Sequence, residues 1–533
     1  MENLEIIVLL LFGVTILALL SYRYNFPFPI VLVLAGLTIS FIPGLPLVTL
    51  KPEIVFLIFL PPLLYSAAWN TSWHDFKANI RSISFAAIGL VFFTTGLVGV
   101  VAHYVIPDLS WAHAFLLGAI VSPPDALAAT SVTKGLGLNP RIIAILEGES
   151  LVNDASGLIA YKYALAAIIS GTFGVVDAGI QFVWVIVAGI GIGLLIGYIM
   201  FQVHHRFVCD SIIETTLTFL TPFASYLIAE HFHVSGVLAV VTTGLYLSFQ
   251  SGEIFSTQSR IQTYAVWDVV VFILNGLIFI LLGLQLKYVI SGIEDGSLIQ
   301  LIIYGFVVSL VVVIVRFIWV VPAATLPRVL SKKIRTTETF DRRNLVIFGW
   351  AGMRGVVSMA AALSIPLLTD SGDAFPNRNL IIFLTFSVII FTLLVQGLTL
   401  PWVIRRLKMP KHSIVEEEYQ VRMKMIAASI THIEENLSLT EDDLLTKIKN
   451  KYEIKYNRLQ HTELPEGFLE KHGNPVEEIF NRFTGIEMEL LNIERDVIKM
   501  LHRQGGASEE VLRKIEHELD LEESRLQMDL YKS

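Results

Sequence analysis

The sequence predicts an all-α polytopic membrane protein of about 13 transmembrane helices, followed by a helical C-terminal region in water. Hydrophobic residues make up 54% of the 533-residue chain and charged residues only 16%, a balance outside the range of soluble globular domains. Apolar runs long enough to span a bilayer recur up to about residue 403. From Arg405 onward roughly one-third of the residues are charged, so we expect that region to lie in water.

The apolar runs before residue 404 are each long enough to cross the hydrocarbon core of a membrane. The first run follows Met1 to Glu5, which carry acidic side chains and no basic cluster. We therefore expect a membrane span there and not a removable signal peptide. The thirteen runs lie at residues 4–21, 28–43, 53–69, 82–106, 111–132, 141–170, 177–200, 211–230, 234–250, 264–288, 297–325, 344–368 and 378–403.

Basic residues are concentrated in alternate loops, and such an excess marks the cytoplasmic side of a membrane protein. This places the N-terminus outside and the C-terminal tail in the cytoplasm of a multi-pass cell-membrane protein. The basic loops hold Arg23, Lys77, Arg81, Lys134, Arg141, Arg206, Arg260 and the clusters Arg328–Arg343 and Arg405–Lys411, whereas the opposite loops hold little more than Lys51, Lys287 and Arg378.

The fifth run is interrupted by Ser122-Pro-Pro-Asp125. Proline has no amide hydrogen and its ring clashes with the carbonyl four residues back, so Pro123 and Pro124 should free two carbonyls in mid-span and break the helix. Non-helical backbone is tolerated at membrane depth only where it lines a cavity or is buried in protein. Asp125 can cap the helix that restarts after the break. A simple proline kink with Asp125 at the interface is the alternative.

The sixth run carries the densest group of polar residues, from Glu147 to Gly157. Helical periodicity puts Glu147, Ser150 and Asp154 on one face and Glu149 with Asn153 on a neighbouring face. Ionisable residues in spans are costly and are therefore candidates for function. Oxygen ligands with a compensating carboxylate suit a dehydrated cation, so Asp154 is predicted to bind a cation or a proton. Hydrogen bonding between helices is the alternative for the serines.

The twelfth run contains Gly352-Met-Arg354-Gly355, which places an arginine in an otherwise apolar segment. An unpaired buried guanidinium would be very costly, so Arg354 is expected to pair with an acid, for which Glu149 and Glu147 are the candidates. Three further charged residues in spans, Arg316, Lys162 and Glu214, are treated as side chains that reach an interface, and no role is predicted for them.

Beyond the membrane domain, predicted as residues 1–404, the tail of residues 405–533 shows helical apolar spacing in Ile414–Ile430 and Ile479–Leu501. Predicted breaks fall at Pro465, Gly473–Pro475 and Gly505–Gly506. The tail is expected to be a small helical cytosolic domain. A regulatory role, a solvated appendage and a dimer contact all fit the pattern.

Together, four motifs resemble those of the sodium/proton exchanger branch of the monovalent cation:proton antiporters. They are Leu60-Pro-Pro-Leu-Leu-Tyr, Ser122-Pro-Pro-Asp125, Gly148-Glu-Ser-Leu-Val-Asn-Asp154 and Gly352-Met-Arg-Gly355. The stretch from Trp267 to Leu286 resembles the bacterial form, and the resemblance covers residues 1–404. It implies inverted six-span repeats, with broken fifth and twelfth spans crossing beside the sixth. It also implies a homodimer with elevator-like alternating access.

By position, the resemblance implies that Asp154 is the ion-carrying residue, beside Asn153. Ser150 and Asp125 would be its supporting ligands for the transported monovalent cation, and Glu149 with Arg354 a structural ion pair. Two positions depart from the family pattern. Pro124 replaces a threonine whose side chain could bond Asn153, and Ser66 stands where some members carry an acid.

The implied activity is exchange of sodium, with lithium as a second candidate, for protons. A single carboxylate that binds either ion gives antiport, because its occupied forms are neutral and its empty form is costly to move through lipid. Asn153 removes a second adjacent carboxylate, which predicts electroneutral one-for-one exchange. A potassium/proton antiporter on the same scaffold is the nearest alternative, and a cation channel or a membrane sensor belongs to a different class. No enzyme, cofactor or nucleic-acid partner is predicted.

Overall fold

The computed structural model is helical through nearly all of the residues it describes. Within them the only β-structure is an isolated bridge between Leu368 and Ala374. The described residues are 2–24, 26–42, 55–133, 138, 140–170, 175–207, 210–291, 297–330, 342–369, 374–408, 414–436, 475–504 and 507–531. Outside them lie the predicted tail breaks at Pro465 and Gly505–Gly506, the loop residues Lys51 and Lys134, and residues 331–341 and 409–411 of the two basic clusters.

The chain divides into two compact units. The membrane unit comprises Met1–Ile254 and Thr263–His412, and the tail unit comprises Phe255–Gln262 and Ser413–Ser533. The predicted boundary at residue 404 lies inside a helix, and the short segment Phe255–Gln262 joins the tail unit although it is distant in sequence.

Helices of the membrane unit overlap every apolar run that the sequence predicts. They are α1 (Glu2–Tyr24), α2 (Phe28–Ser40), α3 (Leu60–Asn70, after a π-helical turn at Val55–Phe59), α4 (Trp73–Val105), α5 (Trp111–Val121), α6 (Ala126–Thr133), α7 (Pro140–Ser170), α8 (Val175–Phe207), α9 (Ser211–His231), α10 (Gly236–Phe249), α11 (Ser251–Ile254), α12 (Thr257–Ser291, whose first residues belong to the tail unit), α13 (Leu298–Leu330), α14 (Arg342–Trp350), α15 (Val356–Leu363), α16 (Arg378–Phe391) and α17 (Leu398–Leu407, after a π-helical turn at Thr392–Gly397).

Several of these helices can cross a membrane. Among the described residues, six helices are long and apolar enough to do so by length and composition, and four shorter helices are also apolar. The six segments are Ile83–Val105, Gly179–Phe207, Ser211–His231, Thr257–Gln285, Leu298–Ala323 and Arg378–Leu407. The chain is therefore a multi-pass membrane protein.

Local sequence explains where several helices begin. The Asp210 carboxylate accepts hydrogen bonds from the amides of Ile212 and Ile213 at 2.9 and 3.0 Å, which caps α9. Ser235 caps α10 in the same way, since its hydroxyl accepts from the Leu238 amide at 3.2 Å. These caps satisfy amide groups that a helix leaves unpaired at its first turn.

α7 lies at the centre of the membrane unit, where α3, α4, α5, α6, α10 and α15 pack against it. Close packing of α7 and its neighbours depends on glycines, which have no side chain. A Cβ at Gly118 of α5 would lie 2.5 Å from the carbonyl oxygen of Thr95 on α4, and one at Gly157 of α7 would lie 3.0 Å from the Pro123 ring. α7 is therefore held tightly beside the interruption between α5 and α6.

The tail unit contains three long helices, α18 (Ile414–Asn436), α19 (Pro475–Gln504) and α20 (Glu509–Tyr531). The two predicted apolar stretches lie in α18 and α19, and α19 begins at the predicted break at Pro475. Their buried faces form one core from Val421, Met425, Leu491, Ile498, Leu501, Val511, Leu512, Ile515, Leu519 and Leu526. The tail unit thus has a hydrophobic core of its own.

A buried ionic network completes the tail unit. Arg260, 4% exposed, donates through two nitrogens to the carboxylate of Asp520, with both distances at 2.6 Å. Arg260 also pairs with Glu516 at 3.0 Å, and Arg495 of α19 pairs with the same Asp520 at 2.8 Å. The network attaches the segment Phe255–Gln262 to α19 and α20. No local sequence pattern indicates this network, because Arg260 is separated from Asp520 by 260 residues.

Candidate functional site

Two non-helical stretches of the membrane unit meet beside α7. The first lies between the end of α5 at Val121 and the start of α6 at Ala126, and the second between Trp350 and Val356. The Asp125 amide donates to the Met353 carbonyl at 2.7 Å, which joins the two stretches directly. Gly355 lies against the Asp125 side chain so closely that a Cβ there would be 1.7 Å from Oδ2. The backbone of one interruption is therefore shaped to fit the carboxylate of the other.

Asp125 also starts α6. Its Oδ1 accepts a hydrogen bond from the Ala128 amide at 3.3 Å, so the predicted N-terminal cap is confirmed. The carbonyl of Ala119, four residues before Pro123, accepts a hydrogen bond from the Ser122 hydroxyl at 2.9 Å.

Arg354 is fully buried and is held by main-chain oxygens. Its Nε donates to the Val121 carbonyl at 2.9 Å and Nη2 to the Ser122 carbonyl at 3.3 Å, while Nη1 donates to the carbonyl of Gly352. The last carbonyls of a helix lack intrahelical partners, and a guanidinium supplies five donors to satisfy them. Arg354 thus closes the C-terminal end of α5 and fixes the two interruptions together.

The predicted Glu149–Arg354 pair is not the ion pair that forms. Glu149 pairs instead with Arg316 of α13, through Nη1 to Oε1 at 2.9 Å and Nη2 to Oε2 at 3.2 Å. Arg316 is 1% exposed and also donates to the Phe348 carbonyl at 2.8 Å. The correction has a physical reason: carbonyls at the broken helix end satisfy the guanidinium of Arg354, so the carboxylate is free to neutralise the second buried arginine.

Ser150 fastens α7 to the first interruption. Its hydroxyl donates to the Pro124 carbonyl and accepts from the Ala126 amide, both at 3.2 Å. A hydroxyl has one donor and two acceptor positions, so one acceptor position remains. Ser150 can therefore offer at most one lone pair to an ion.

A cavity of about 170 Å³ opens along the face of α7 that the periodicity predicted. Asp154 and Ser150 are 7% and 9% exposed, Glu147 and Asp125 are half-buried, and Asn70 at the end of α3 is exposed. The cavity is lined by Leu60, Leu63, Leu64, Ser66, Ala67, Asn70, Asp125, Ala126, Glu147, Ser150, Leu151, Asp154, Val271, Val356 and Val357. Three carboxylates from two chain segments thus face one largely apolar space.

Asn153 lies on the neighbouring face and has no exposed surface. Its side-chain amide donates to Glu149 Oε1 at 3.3 Å. Within the described part of the chain, its Oδ1 is buried without a hydrogen-bond partner. Pro124 has no side-chain donor to offer to Asn153. Asn153 is thereby connected to the Glu149–Arg316 pair.

Sequence reasoning missed two residues at this site. Arg316 does not reach an interface as expected, because it lies near the middle of the 33-residue helix α13. At about 1.5 Å per residue, roughly 20 Å separate it from the nearer end, beyond the reach of a side chain. Asn70, an exposed residue that lines the cavity, carried no signal in the sequence.

The geometry suits a small hard cation or a proton. Carboxylate and hydroxyl oxygens are the ligands such cations take, and apolar walls raise the cost of leaving a carboxylate charged and empty.

Comparison with known proteins adds an independent line of evidence. Residues 7–406 match the family model described as "Sodium/hydrogen exchanger, transmembrane". The chain is 31% identical to the sodium, potassium, lithium and rubidium/H⁺ antiporter of Bacillus subtilis, over 94% of this chain and 75% of that protein. It is 35% identical to the Na⁺/H⁺ antiporter ApNhaP of Aphanothece halophytica, over 76% of this chain and 75% of the relative.

A solved structure shares the fold. The sodium proton antiporter MjNhaP1 of Methanocaldococcus jannaschii aligns with a TM-score of 0.60 at 19% identity, covering 76% of this chain and 99% of that one.

Proposed function

The chain belongs to the sodium/hydrogen exchanger family, and on that premise we propose that it exchanges Na⁺ for H⁺ across the cell membrane, with Asp154 binding the two ions in competition. The position of Asp154 supports this function: the side chain is 7% exposed and lines a cavity that Asp125 and Glu147 also line. Ser150 and Asp125 are the proposed supporting ligands, and Asn153 orients the neighbouring Glu149.

Competition at one carboxylate is sufficient for antiport. The cation-bound and protonated forms of Asp154 are neutral, whereas the empty form carries a charge that is costly to move through an apolar environment. Only occupied protein then changes conformation, so each outward ion must be matched by an inward one.

We further propose that the exchange is electroneutral. The residue before Asp154 is the amide Asn153, which cannot carry a second proton at physiological pH. Clamping the membrane potential of proteoliposomes at several values should leave the exchange rate unchanged. A clear dependence of the rate on voltage would contradict one-for-one exchange.

We propose an elevator-type movement within a homodimer as the transport mechanism. α7, the two interruptions and Arg354 are bonded into one block, and the Glu149–Arg316 pair ties this block to α13. Inverted repeats and the crossing of the two broken helices belong to the same proposal. So does the orientation with the N-terminus outside and the tail unit in the cytoplasm, where a regulatory role for the tail is one candidate.

Potassium is a specific second candidate for the transported cation. The Bacillus subtilis relative is named as an antiporter of sodium, potassium, lithium and rubidium. In this chain Ser66 lines the cavity where some family members have an acid, and a weaker ligand set lowers the cost of accepting a larger ion.

A pH-dye assay distinguishes these cations. Proteoliposomes with an acidified lumen should show dequenching of the dye when sodium or lithium is added. An equal response to potassium would favour the broader selectivity, and no response to any of the three cations would contradict the proposed function.

A further inference from the structure

We propose that Glu147 is the residue that attracts the cation into the cavity and sets its apparent affinity at alkaline pH. The inference rests on the proposed function of Asp154 and adds a positioning residue to it. Glu147 lines the same cavity as Asp154, seven residues earlier on α7. Two helical turns separate them, about 10 Å along the axis, and they share one face.

The cavity has a direction, which the exposure of its polar residues reveals. Asp154 and Ser150 are 7% and 9% exposed, whereas Glu147 is half-buried and Asn70 is exposed. Asp125 is half-buried as well, so exposure rises from Asp154 through Asp125 and Glu147 to Asn70. We infer that an ion entering from solvent at Asn70 meets Glu147 before it reaches Asp154. A carboxylate at the mouth of an apolar cleft concentrates cations there.

Other charged and titratable groups near α7 contribute to the electrostatic field in the cavity. Phe76 and Ile83 of α4 touch α7 at Gly148, and two exposed basic residues of α4 lie on that segment. The charged and titratable residues on elements that contact α7 are Tyr65 of α3, His74, Asp75, Lys77, Arg81, His103 and Tyr104 of α4, His113 of α5, Asp125 before α6, Tyr246 of α10, Arg316 of α13 and Arg354 before α15, while the sequence of α7 itself carries Arg141, Glu149, Asp154, Tyr161, Lys162 and Tyr163.

The electrostatic signature of Glu147 is specific. Two unit charges about 10 Å apart change a binding constant by about 2- to 16-fold, for effective dielectric constants of about 80 and 20. A proton and a monovalent cation carry the same charge, so the field of Glu147 strengthens both kinds of binding to Asp154 by the same factor. Where protons compete for Asp154, the two equal effects cancel in the apparent cation KM. The field of Glu147 therefore changes the cation KM only at alkaline pH, where protons do not compete.

The experiment compares cation KM at an alkaline and an acidic pH for purified full-length protein in proteoliposomes. Glu147→Gln should raise the KM for sodium about 2- to 16-fold at alkaline pH, and the ratio to wild type should approach one at acidic pH. Glu147→Asp keeps the charge and should restore most of the affinity. Asn70→Asp in the Glu147→Gln background should lower the raised KM, because it returns a charge to the mouth.

Asp108→Asn serves as the matched control. It removes the same charge from an exposed site outside the cavity, at a positive-φ position (φ 60°) that asparagine also accepts. It should leave the KM unchanged at both pH values.

Three results would overturn the inference. They are an unchanged KM for Glu147→Gln at alkaline pH, an equal rise at both pH values, and a loss of folded protein with an unchanged KM. The last two would indicate a structural role. If wild-type protein moves no protons in response to sodium, potassium or lithium, the proposed function itself is wrong. The wild-type measurement thus separates an error in the proposed function from an error in the role of Glu147.

Discussion

Removing the Glu149 carboxylate should unfold the core around α7, because it would leave Arg316 buried and unpaired. In the described part of the chain Arg316, 1% exposed, donates two hydrogen bonds to Glu149 and one to the Phe348 carbonyl. Breaking one side of such a buried pair costs about 3–5 kcal/mol. The Asn153 amide would lose its acceptor as well. We expect Glu149→Ala to lower the yield of folded protein and the temperature of thermal inactivation before any direct effect on ion binding.

A double-mutant cycle identifies the partner. Glu149→Ala combined with Arg316→Ala should be less destabilising than the sum of the two single changes, with a coupling energy in the range of about 0.5–3 kcal/mol. The matched cycle with Arg354→Ala should give a smaller coupling, because that guanidinium is held by carbonyls. A thermal shift of the detergent-solubilised protein measures both cycles. Wild-type stability of Glu149→Ala, or stronger coupling of Glu149 to Arg354 than to Arg316, would show that the Glu149–Arg316 pair does not stabilise the core.

Three further predictions concern other contacts. Gly355→Ala should abolish exchange, because its Cβ would lie 1.7 Å from Asp125 Oδ2, whereas Gly13→Ala on α1 meets no atom within 4 Å and should retain it. Asp520→Asn should destabilise the tail unit by about 1–3 kcal/mol, because Arg260 and Arg495 share that carboxylate but each keeps a second acidic partner, Glu516 or Glu523. Hydrogen exchange of α19 and α20 in the full chain that stays at the wild-type rate would contradict this. Glu494→Gln should slow hydrogen exchange of the tail helices at neutral pH. Burial raises the pKa of Glu494 most, the hydrogen bond from Ser429 lowers it, and the charge of Glu522 raises it further. Because the folded protein holds this proton more tightly than the unfolded chain, stability is lost as the pH rises through the pKa of Glu494. The stability that Glu494→Gln gains at neutral pH should therefore disappear in acid.

Much of the fold was predictable because long apolar runs and paired prolines act locally. Apolar length predicted the helices of the membrane unit, and α5 ends at Val121, two residues before the paired prolines. The 3.6-residue period predicted that Glu147, Ser150 and Asp154 share a face, and all three line the cavity. The family resemblance, carried by four motifs, is confirmed by the match over residues 7–406.

The partners of the buried arginines were not predictable in the same way. Arg316 and Arg354 are both candidates to pair with the Glu149 carboxylate. The sequence cannot show that the carbonyls of Val121 and Ser122 accept hydrogen bonds from Arg354 and leave Glu149 to Arg316. The attachment of Arg260 to Asp520 depends on tertiary packing across 260 residues. Helical periodicity describes one helix at a time, so pairing between distant elements requires the folded structure.

Competition between Na⁺ and H⁺ at Asp154 is tested by a variant that removes the charge of this side chain. Asp154→Asn keeps the size of the side chain but can bind neither a proton nor, with compensating charge, a cation. In proteoliposomes with a luminal pH dye, this variant should show no sodium-dependent proton movement while it inserts and melts like the wild type. Near-normal sodium-driven proton movement by Asp154→Asn would contradict the account.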